Sequence, residues 1–493
     1  MRFDQSNATK QNSWVCDKIG RIMIKSEFSK NTVTLMGSAI IAHAIYFIAM
    51  PVLARVYNPS FFGTFALYVS ITTIVSAVAM GRYEFAIMLP DDDDSAINML
   101  TICIIVVFLV SISIFAVLLV FGRQISDLLR DNELLKWLYL MPVTILLTGL
   151  YQSFYYWLNR KKDYKKLAVS KLLQSMVTVV VNIGLGYFVY GIAGLIFGNI
   201  IGYAAVALFL GWKVYRKEMS KQNVVSLAKI KSLSMQYINY PLKSSIGAFT
   251  NAASYQVEYI LFSINYDLFS TGCYYFAHKM VSVPKIMLSG AIWQVFAGGH
   301  SRKTTEEIFS AVDFYQNKML RLTTLLFFSS LFIAPNIFLY MFGDKWSSAA
   351  IYLYPMIVAA HINLIVASYS LFLIIDRPDA EMIYNLALLI LKVLAIVLTC
   401  RFLNNVLYSV IAISIVQGVM FLLLGSWNYK QLGKTYLYFP RLYCKNIAMI
   451  LPYMAALFLI TSLTKNFVIL LLCFIIINLL HLRNAREVFS KSA

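Results

Sequence analysis

The sequence carries little charge for its length. Only 13% of its 493 residues are charged and 60% are hydrophobic, whereas about a quarter of an ordinary soluble protein is charged. This composition excludes a soluble fold. Acidic residues are the scarcer sign, since 23 Asp and Glu stand against 42 Lys and Arg and leave a net charge of +19. In a soluble protein such an excess of basic residues suggests nucleic-acid binding. In a membrane protein it marks the segments that stay in the cytoplasm.

Groups that could perform catalysis or hold a metal are few. The six cysteines stand singly without C-x-x-C spacing, the five histidines are scattered without an H-E-x-x-H motif, and no G-x-x-x-x-G-K-[ST] loop occurs. We therefore expect no disulfide framework, no cofactor, no P-loop nucleotide hydrolysis and no enzymatic activity. His43 and His361 lie inside apolar runs. Each could be packed and hydrogen-bonded within the protein or could face an internal cavity, and the sequence leaves both alternatives. The acidic run Asp91–Asp94 precedes a helix start, so we favour helix capping over a cation site there.

Long hydrophobic runs, in contrast, are abundant. A helix needs about 20 apolar residues to cross a bilayer, and fourteen runs of this kind are separated by charge, Pro, Gly or Asn. Their approximate limits are 32–55, 61–81, 96–121, 134–158, 166–189, 191–213, 241–264, 268–297, 311–341, 348–375, 380–403, 405–427, 445–464 and 466–482. The last two are the weakest, because Pro452 interrupts one and the other is barely long enough. The predicted fold class is an all-α integral membrane protein with about fourteen transmembrane helices.

The basic residues orient these spans. With the N-terminus inside, cytoplasmic segments hold 28 Lys and Arg and external segments hold seven, as the positive-inside rule requires. Both termini are therefore predicted to be cytoplasmic. The external loops are all short, which excludes an external catalytic domain. The largest cytoplasmic segment, 213–240, is amphipathic and is predicted to lie along the membrane surface, with apolar positions at Val224, Leu227, Ile230 and Leu233.

The chain is predicted to consist of two six-span halves. Asn58–Tyr68 and Asn265–Ala277 share a short external turn followed by a glycine, Gly63 or Gly272, that opens the next span. Transporters built from repeats bind substrate near mid-membrane between the halves. The predicted organisation is a cytoplasmic segment (1–31), an N-lobe of spans 1 to 6 (32–213), a linker (214–240), a C-lobe of spans 7 to 12 (241–427), spans 13 and 14 (428–482) and a cytoplasmic tail (483–493).

Charged residues inside the spans are the candidate site. A charge at the bilayer centre costs about 2.5 to 3.5 kcal/mol on insertion scales, so it usually faces a bundle interior or a water-filled cavity. Lys279 and Lys285 flank Pro284 in the eighth span, and Lys392 lies near the middle of the eleventh. Lysines outnumber carboxylates in the second half, so we expect a positive lumen whose guest is an anion. Phosphate suits an ammonium as a point-charge partner.

Three further charges complete the candidate set. Glu258, in the seventh span, is a possible partner for Lys279, a proton or sodium ligand, or a member of a structural ion pair. Lys243 and Arg82 lie at the cytoplasmic ends of the seventh and second spans and are further candidates for substrate binding. For Lys243 we favour snorkelling to the headgroups, and Arg82 is placed to pair with Glu84 at the interface.

Five stretches of the sequence resemble the Wzx-type polysaccharide flippases, part of the superfamily of lipid-linked oligosaccharide flippases, lipid II flippases and multidrug extruders. They are Pro51–Phe65, Gly81–Pro90, Tyr240–Lys243, Gly272–Lys285 and Phe342–Trp346. Their order and spacing, with the span count and the central linker, extend the resemblance over nearly the whole chain. The family often has Arg where Lys279 stands, and lysine keeps the charge without the bidentate fork.

The resemblance implies two six-helix lobes around a central cavity and two extra C-terminal helices. It also implies that undecaprenyl-diphosphate-linked oligosaccharide moves from the cytoplasmic to the periplasmic leaflet of a bacterial inner membrane, for O-antigen, capsule or exopolysaccharide synthesis. Expected partners are this lipid-linked glycan, membrane lipids, and a polymerase and chain-length regulator of the same pathway, with no nucleic acid. An ion-coupled drug or metabolite exporter of the same superfamily is the first alternative. A polysaccharide polymerase or ligase is disfavoured, because no large external loop exists.

Overall fold

The structure is a computed structural model of the chain. It describes residues 27–131, 133–189, 191–216, 225–297, 305–367, 377–464 and 467–492. Side chains are described throughout these ranges except at 27–33, 284–297, 305–308, 311, 367, 378 and 484–492.

The described residues form a bundle of fourteen long helices and no strand. In chain order these are α1 (Glu27–Val56), α2 (Pro59–Ser76), α3 (Asp93–Leu128), α4 (Met141–Arg160), α5 (Tyr164–Phe188), α6 (Ala193–Val214), α7 (Ser245–Asn265), α8 (Leu268–Ala297), α9 (Thr305–Phe342), α10 (Ser347–Ala367), α11 (Pro378–Leu403), α12 (Val406–Gln431), α13 (Tyr438–Leu463) and α14 (Phe467–Ser492). Short helices lie between them at Tyr83–Ala86, Leu134–Leu138, Leu227–Gln236, Tyr240–Ser244 and Asp344–Trp346.

Long apolar helices confirm the predicted fold class, a multi-pass membrane protein. Eleven helices in the described ranges are long and apolar enough to cross a membrane, and α14 contains a shorter apolar stretch, Phe467–Arg483. Large apolar side chains are exposed along the outer faces, as on α3 at Phe108, Leu109 and Leu119. A soluble monomer rarely exposes apolar patches of this extent, so these faces are suited to lipid.

The helices form two lobes with the same packing order. In the N-lobe (α1–α6), α1 packs on α5, α5 on α6, α6 on α4, and α4 on both α3 and α2. In the C-lobe (α7–α12), α7 packs on α11, α11 on α12, α12 on α10, and α10 on both α9 and α8. Each C-lobe contact is therefore the N-lobe contact shifted by six helices. The packing order of the helices therefore occurs twice, six helices apart along the chain.

The two glycines meet where the lobes cross. A methyl group on Gly63 would lie 2.0 Å from the carbonyl oxygen of Leu268, and one on Gly272 would lie 1.8 Å from that of Pro59. Both contacts are with backbone atoms, which cannot move aside as a flexible side chain can. Glycine at these two positions therefore lets α2 and α8 pack closely between the lobes.

The end of the bundle that contains this crossing is closed by the segment before α10; we call it the Trp346 end. The Trp346 indole is fully buried and stacks on Phe276, with ring centroids 4.1 Å apart. Its Nε1 donates to the carbonyl of Ala54 at 3.1 Å. Lys345 Nζ donates to the carbonyls of Arg55 at 3.2 Å and Tyr57 at 3.0 Å. A lysine suits this place, because the last carbonyls of a helix lack partners and carry partial negative charge.

The opposite end, which we call the linker end, carries the segment between the lobes. Of the predicted apolar positions, Leu233 is buried, Leu227 is 84% exposed, and Val224 lies outside the described residues. Helix Leu227–Gln236 packs against α3, and Ser226 N donates to Asn98 Oδ1 at 3.0 Å. The linker therefore packs against α3 on one face and is exposed on the other. The sequence predicted only a helix lying along the membrane surface.

The two C-terminal helices pack on the C-lobe, mainly against α9. One buried contact fixes α13 there. His361 Nδ1 lies 2.8 Å from the Tyr443 hydroxyl, and its Nε2 lies 3.1 Å from Thr323 Oγ1. Both ring nitrogens of this histidine are thus engaged inside the C-lobe, so the packed, hydrogen-bonded alternative describes it.

Candidate functional site

A basic cluster lies between the lobes. Lys279 is on α8, Lys171 is on α5 and His43 is on α1, and His43 is within electrostatic range of both ammonium groups. All three side chains are half-buried. The Lys279 ammonium lies 5.2 Å from the ring centroid of Tyr275, one turn earlier on α8. The cluster therefore brings one lysine from each lobe to the same region of the bundle.

The position of Lys171 on its helix places it away from lipid. The lipid-exposed face of α5 carries Val169, Met176 and Val180. At about 100° per residue, Lys171 lies about 160° from Val169, 140° from Met176 and 180° from Val180 around the helix. The ammonium therefore points into the bundle, toward α1 and the lobe interface.

The two ammonium groups are available to an anion. Among the described residues, neither Lys171 nor Lys279 forms an ion pair with a carboxylate. Keeping unneutralised charge within a membrane costs free energy, and such residues are usually functional. Two cations from opposite lobes can hold a doubly charged group between them, as a diphosphate requires.

Lys392 has a different environment, which corrects the expectation that it faces an open cavity. Its side chain is 1% exposed, and its Nζ lies 2.6 Å from Glu258 Oε1 and donates to the carbonyl of Ser254 at 2.7 Å. Glu258 also accepts from the Tyr274 hydroxyl at 2.5 Å and from Gln417 Nε2 at 2.8 Å. The pair thus lies inside the C-lobe, surrounded by hydrogen-bond partners. An ammonium held in this way is not free to bind substrate.

The same contacts settle the partner of Glu258. Its carboxylate pairs with Lys392, not with Lys279, and its side chain is fully buried. All of its hydrogen-bond contacts above are with donors, which leaves little capacity to ligate a sodium ion. The contacts support the structural ion pair among the three alternatives that the sequence left open.

The remaining predicted site residues lie apart from the basic cluster or have side chains outside the described residues. Lys243 is exposed in the short helix Tyr240–Ser244 at the linker end, where headgroups would be within reach. The backbone at Lys285 belongs to α8, but its side chain lies outside the described residues.

Arg82 lies at the linker end of the N-lobe, directly before the short helix Tyr83–Ala86. It has a left-handed backbone with φ of 60°, and its Nη1 is 3.5 Å from Glu84 Oε1. Burial raises the pKa of the Glu84 carboxyl, while its own backbone hydrogen bond and Arg82 oppose that rise. Arg82 also lies within electrostatic range of Glu381, at the start of α11. Arg82 therefore lies near carboxylates of both lobes at the linker end, rather than in the basic cluster.

Lys171 is the functional candidate that sequence reasoning missed. It follows closely after the basic run Arg160–Lys166 and so merges with the topogenic charge before the fifth span. The signal that could have revealed it is helical phase, because Val169, Met176 and Val180 define an apolar face on the other side of the helix.

An apolar groove of about 350 Å³ also lies between α10 and α12. Its lining contains no charged side chain, so it cannot hold an anionic group. The lining residues are Pro355, Val358, Ala359, Ile362, Ile411, Ser414, Ile415, Gly418, Val419 and Leu422.

Solved transporters share this fold. A lipid II flippase, MurJ, in an inward closed conformation is 13% identical, with a TM-score of 0.70 over 93% of this chain and 100% of that chain. An inward-facing multidrug resistance MATE family transporter of the MOP superfamily is 13% identical, with a TM-score of 0.64 over 79% of this chain and 94% of that one. A MOP superfamily transporter from Pyrococcus furiosus, reported for the reverse polarity of its binding pocket, is 14% identical, with a TM-score of 0.52 over 83% and 97%. At these identities the likeness shows the fold.

A comparison of the sequence with curated proteins finds no match. Residues 52–351, more than half of the chain, match the family described as "polysaccharide biosynthesis protein". The matched range runs from the end of α1 to the start of α10 and includes Lys171 and Lys279. The chain belongs to this polysaccharide biosynthesis protein family and has the fold of the MOP superfamily of transporters and flippases.

Proposed function

We propose that the protein is a flippase that moves undecaprenyl-diphosphate-linked oligosaccharide repeat units across a bacterial inner membrane. The observation that carries this proposal is the pair of lysines, Lys171 and Lys279, which come from different lobes, lie within electrostatic range of the same histidine and have no carboxylate partners among the described residues. A diphosphate is the anion that joins the lipid to the glycan in such a substrate. Family membership supplies the link to polysaccharide synthesis.

The location of the cluster suits alternating access. Lys171 belongs to the N-lobe and Lys279 to the C-lobe, so a diphosphate between them touches both moving bodies. The Trp346 end is closed by Trp346 and the crossing of α2 with α8. We propose that the lipid-linked glycan enters from the linker end and leaves when the Trp346 end opens, while the lipid tail stays in the membrane.

The direction of movement follows from the charge of the segments. Among the described residues outside the apolar spans, most Lys and Arg lie in segments at the linker end, and the positive-inside rule assigns such segments to the cytoplasm. We therefore propose that both termini are cytoplasmic and that the Trp346 end faces the periplasm. An ion gradient, or consumption of product by a polymerase and its chain-length regulator, would provide the driving force.

A chromosomal deletion tests this function in the bacterium that makes the protein. We expect loss of the surface polysaccharide, whether O-antigen, capsule or exopolysaccharide, and accumulation of its lipid-linked repeat unit, both restored by the wild-type gene. Intact surface polysaccharide with increased sensitivity to drugs would instead identify a drug exporter. A purified protein that lengthens the glycan would identify a polymerase.

A further inference from the structure

A continuous series of aromatic side chains lines the inner side of the N-lobe. It begins at Phe85, near the linker end, whose ring centroid is 5.0 Å from that of Tyr156. Tyr156 is 6.0 Å from Tyr155, and Tyr155 is 5.9 Å from Tyr151. Tyr151 is 6.1 Å from Tyr203 on α6. We call these five residues the tyrosine ladder.

Cations stand beside the ladder at two points. The Arg82 guanidinium carbon lies 4.3 Å from the Phe85 ring centroid, at the linker end. The Lys171 ammonium lies 5.6 Å from the ring centroid of Tyr155, in the middle of the ladder. The ladder thus leads from Arg82, at the linker end, to the basic cluster and continues beyond it.

All five rings of the ladder are half-buried. On α6 the exposed apolar residues are Phe197, Ile201, Leu208 and Trp212, and Tyr203 lies about 120°, 160°, 140° and 180° from them around the helix. The exposed part of Tyr203 therefore faces the interior, on the same side as Lys171.

The hydroxyl groups make the ladder polar at its edges. The Tyr203 hydroxyl lies near the side chain of Gln174, and the Tyr151 hydroxyl lies near that of Ser170. The cluster that closes the Trp346 end is different in kind, since Phe62, Phe276 and Trp346 are fully buried. The aromatic cluster at the Trp346 end is therefore fully buried, whereas the ladder combines partly exposed ring faces with hydrogen-bonding groups.

We propose that the tyrosine ladder is the subsite for the sugars of the lipid-linked substrate. A pyranose presents a face of C–H groups, which packs on the electron-rich face of an aromatic ring, and a rim of hydroxyls, which tyrosine hydroxyls and amides can bind. The sugar nearest the lipid is bonded directly to the diphosphate, so it must lie beside the lysines that hold that group. Tyr155 satisfies this constraint, because its ring contacts Lys171. The inference rests on the proposed function and names where its glycan binds.

The test compares two lipids on each variant of the full-length protein. Native mass spectrometry in detergent measures the Kd of undecaprenyl diphosphate and of the same lipid carrying the cell's own oligosaccharide. For the wild type we expect the glycan to tighten binding at least about tenfold. Tyr155→Leu and Tyr203→Leu should reduce this ratio to near one. The ratio compares the two lipids on the same variant and so cancels any change in diphosphate binding. Tyr155→Phe, which keeps the ring, should retain most of the ratio.

The controls separate this inference from the proposed function. Lys171→Gln should weaken both lipids together, because it acts on the diphosphate, and Tyr408→Leu, at an exposed position of α12, should change neither. The ratio is taken within one protein sample, so a partly unfolded variant does not imitate the effect. A wild-type ratio near one, or a ratio that Tyr155→Leu and Tyr203→Leu both leave intact, would overturn the glycan subsite. A wild type that binds neither lipid would overturn the proposed function itself.

Discussion

The lysines inside the membrane differ in what surrounds them. Lys392 is neutralised by Glu258 at 2.6 Å in the C-lobe, whereas Lys171 and Lys279 form no ion pair among the described residues. The sequence shows the same residue type at all three positions. Only the fold brings Glu258 beside Lys392, since they lie on helices α7 and α11 far apart in the chain. Residue type alone therefore could not separate a lysine held in a buried ion pair from the lysines that we propose bind substrate.

Removing either binding lysine should impair transport. Lys279→Gln or Lys171→Gln deletes a charge-assisted contact with diphosphate, and such contacts are worth about 1.5 to 3 kcal/mol, equivalent to roughly 10- to 100-fold in affinity. Lipid-linked glycan transport in cells should fall accordingly, measured as surface polysaccharide at equal protein level. Lys243→Gln is the matched control, because Lys243 is exposed at the linker end. Equal effects of the three variants would remove the site assignment.

Breaking the buried pair should instead destabilise the protein. Glu258→Gln or Lys392→Met leaves one charge buried without its partner, which costs about 3 to 5 kcal/mol. The free energy of unfolding, measured by SDS titration of purified protein, should fall by that order. The double variant, Glu258→Gln with Lys392→Met, removes both charges and should recover much of the loss. Single variants as stable as the wild type would contradict a structural role for the pair.

Among the structural elements, α2 and α8 determine how closely the lobes approach. Their contact depends on two glycines, Gly63 and Gly272. These glycines hold equivalent positions in the two segments that resemble each other in the sequence. Some helix bounds were predictable because apolar length and flanking charge set them: α5 covers Tyr164–Phe188, close to the predicted run 166–189, whereas α3 extends seven residues beyond the predicted 121. The linker was less predictable, since its contact with α3 requires Asn98 and Leu233 to meet across the fold.

Enlarging Gly63 should force the lobes apart at the Trp346 end. In Gly63→Ala the new methyl would lie 2.0 Å from a backbone oxygen of α8, so the two helices must separate. Spin labels at Glu133 and Tyr340, both exposed at this end, should report a longer distance by pulsed electron resonance. Gly184→Ala is the control, since nothing lies within 4 Å of its added methyl. A distance distribution identical to that of the wild type would show that the crossing does not hold this end closed.

At the scale of the whole molecule, the repeat and the charge asymmetry define a membrane protein with two distinct ends. The sequence predicted the fold class because span length and loop charge are properties of single segments. It could not predict the tyrosine ladder, whose members come from the Tyr83–Ala86 segment, α4 and α6. Such a surface exists only after the helices pack.

The proposed sidedness can be measured in intact cells. On a background without native cysteines, Lys229→Cys in the exposed face of the linker helix should react with a membrane-impermeant maleimide only after the cells are opened. Glu133→Cys, at the Trp346 end, should react in intact cells. The reverse pattern would show that the linker end faces the periplasm and would reverse the proposed direction of transport.

The central claim is that lysines from both lobes move a diphosphate-linked glycan across the membrane. Its most direct test is translocation in sealed proteoliposomes, measured as the fraction of undecaprenyl-diphosphate-linked oligosaccharide that external periodate can oxidise over time. The wild type should expose the inner-leaflet lipid to the reagent, and the variant with both Lys171→Gln and Lys279→Gln should be no faster than protein-free vesicles. Translocation by this double variant at the wild-type rate would contradict the account.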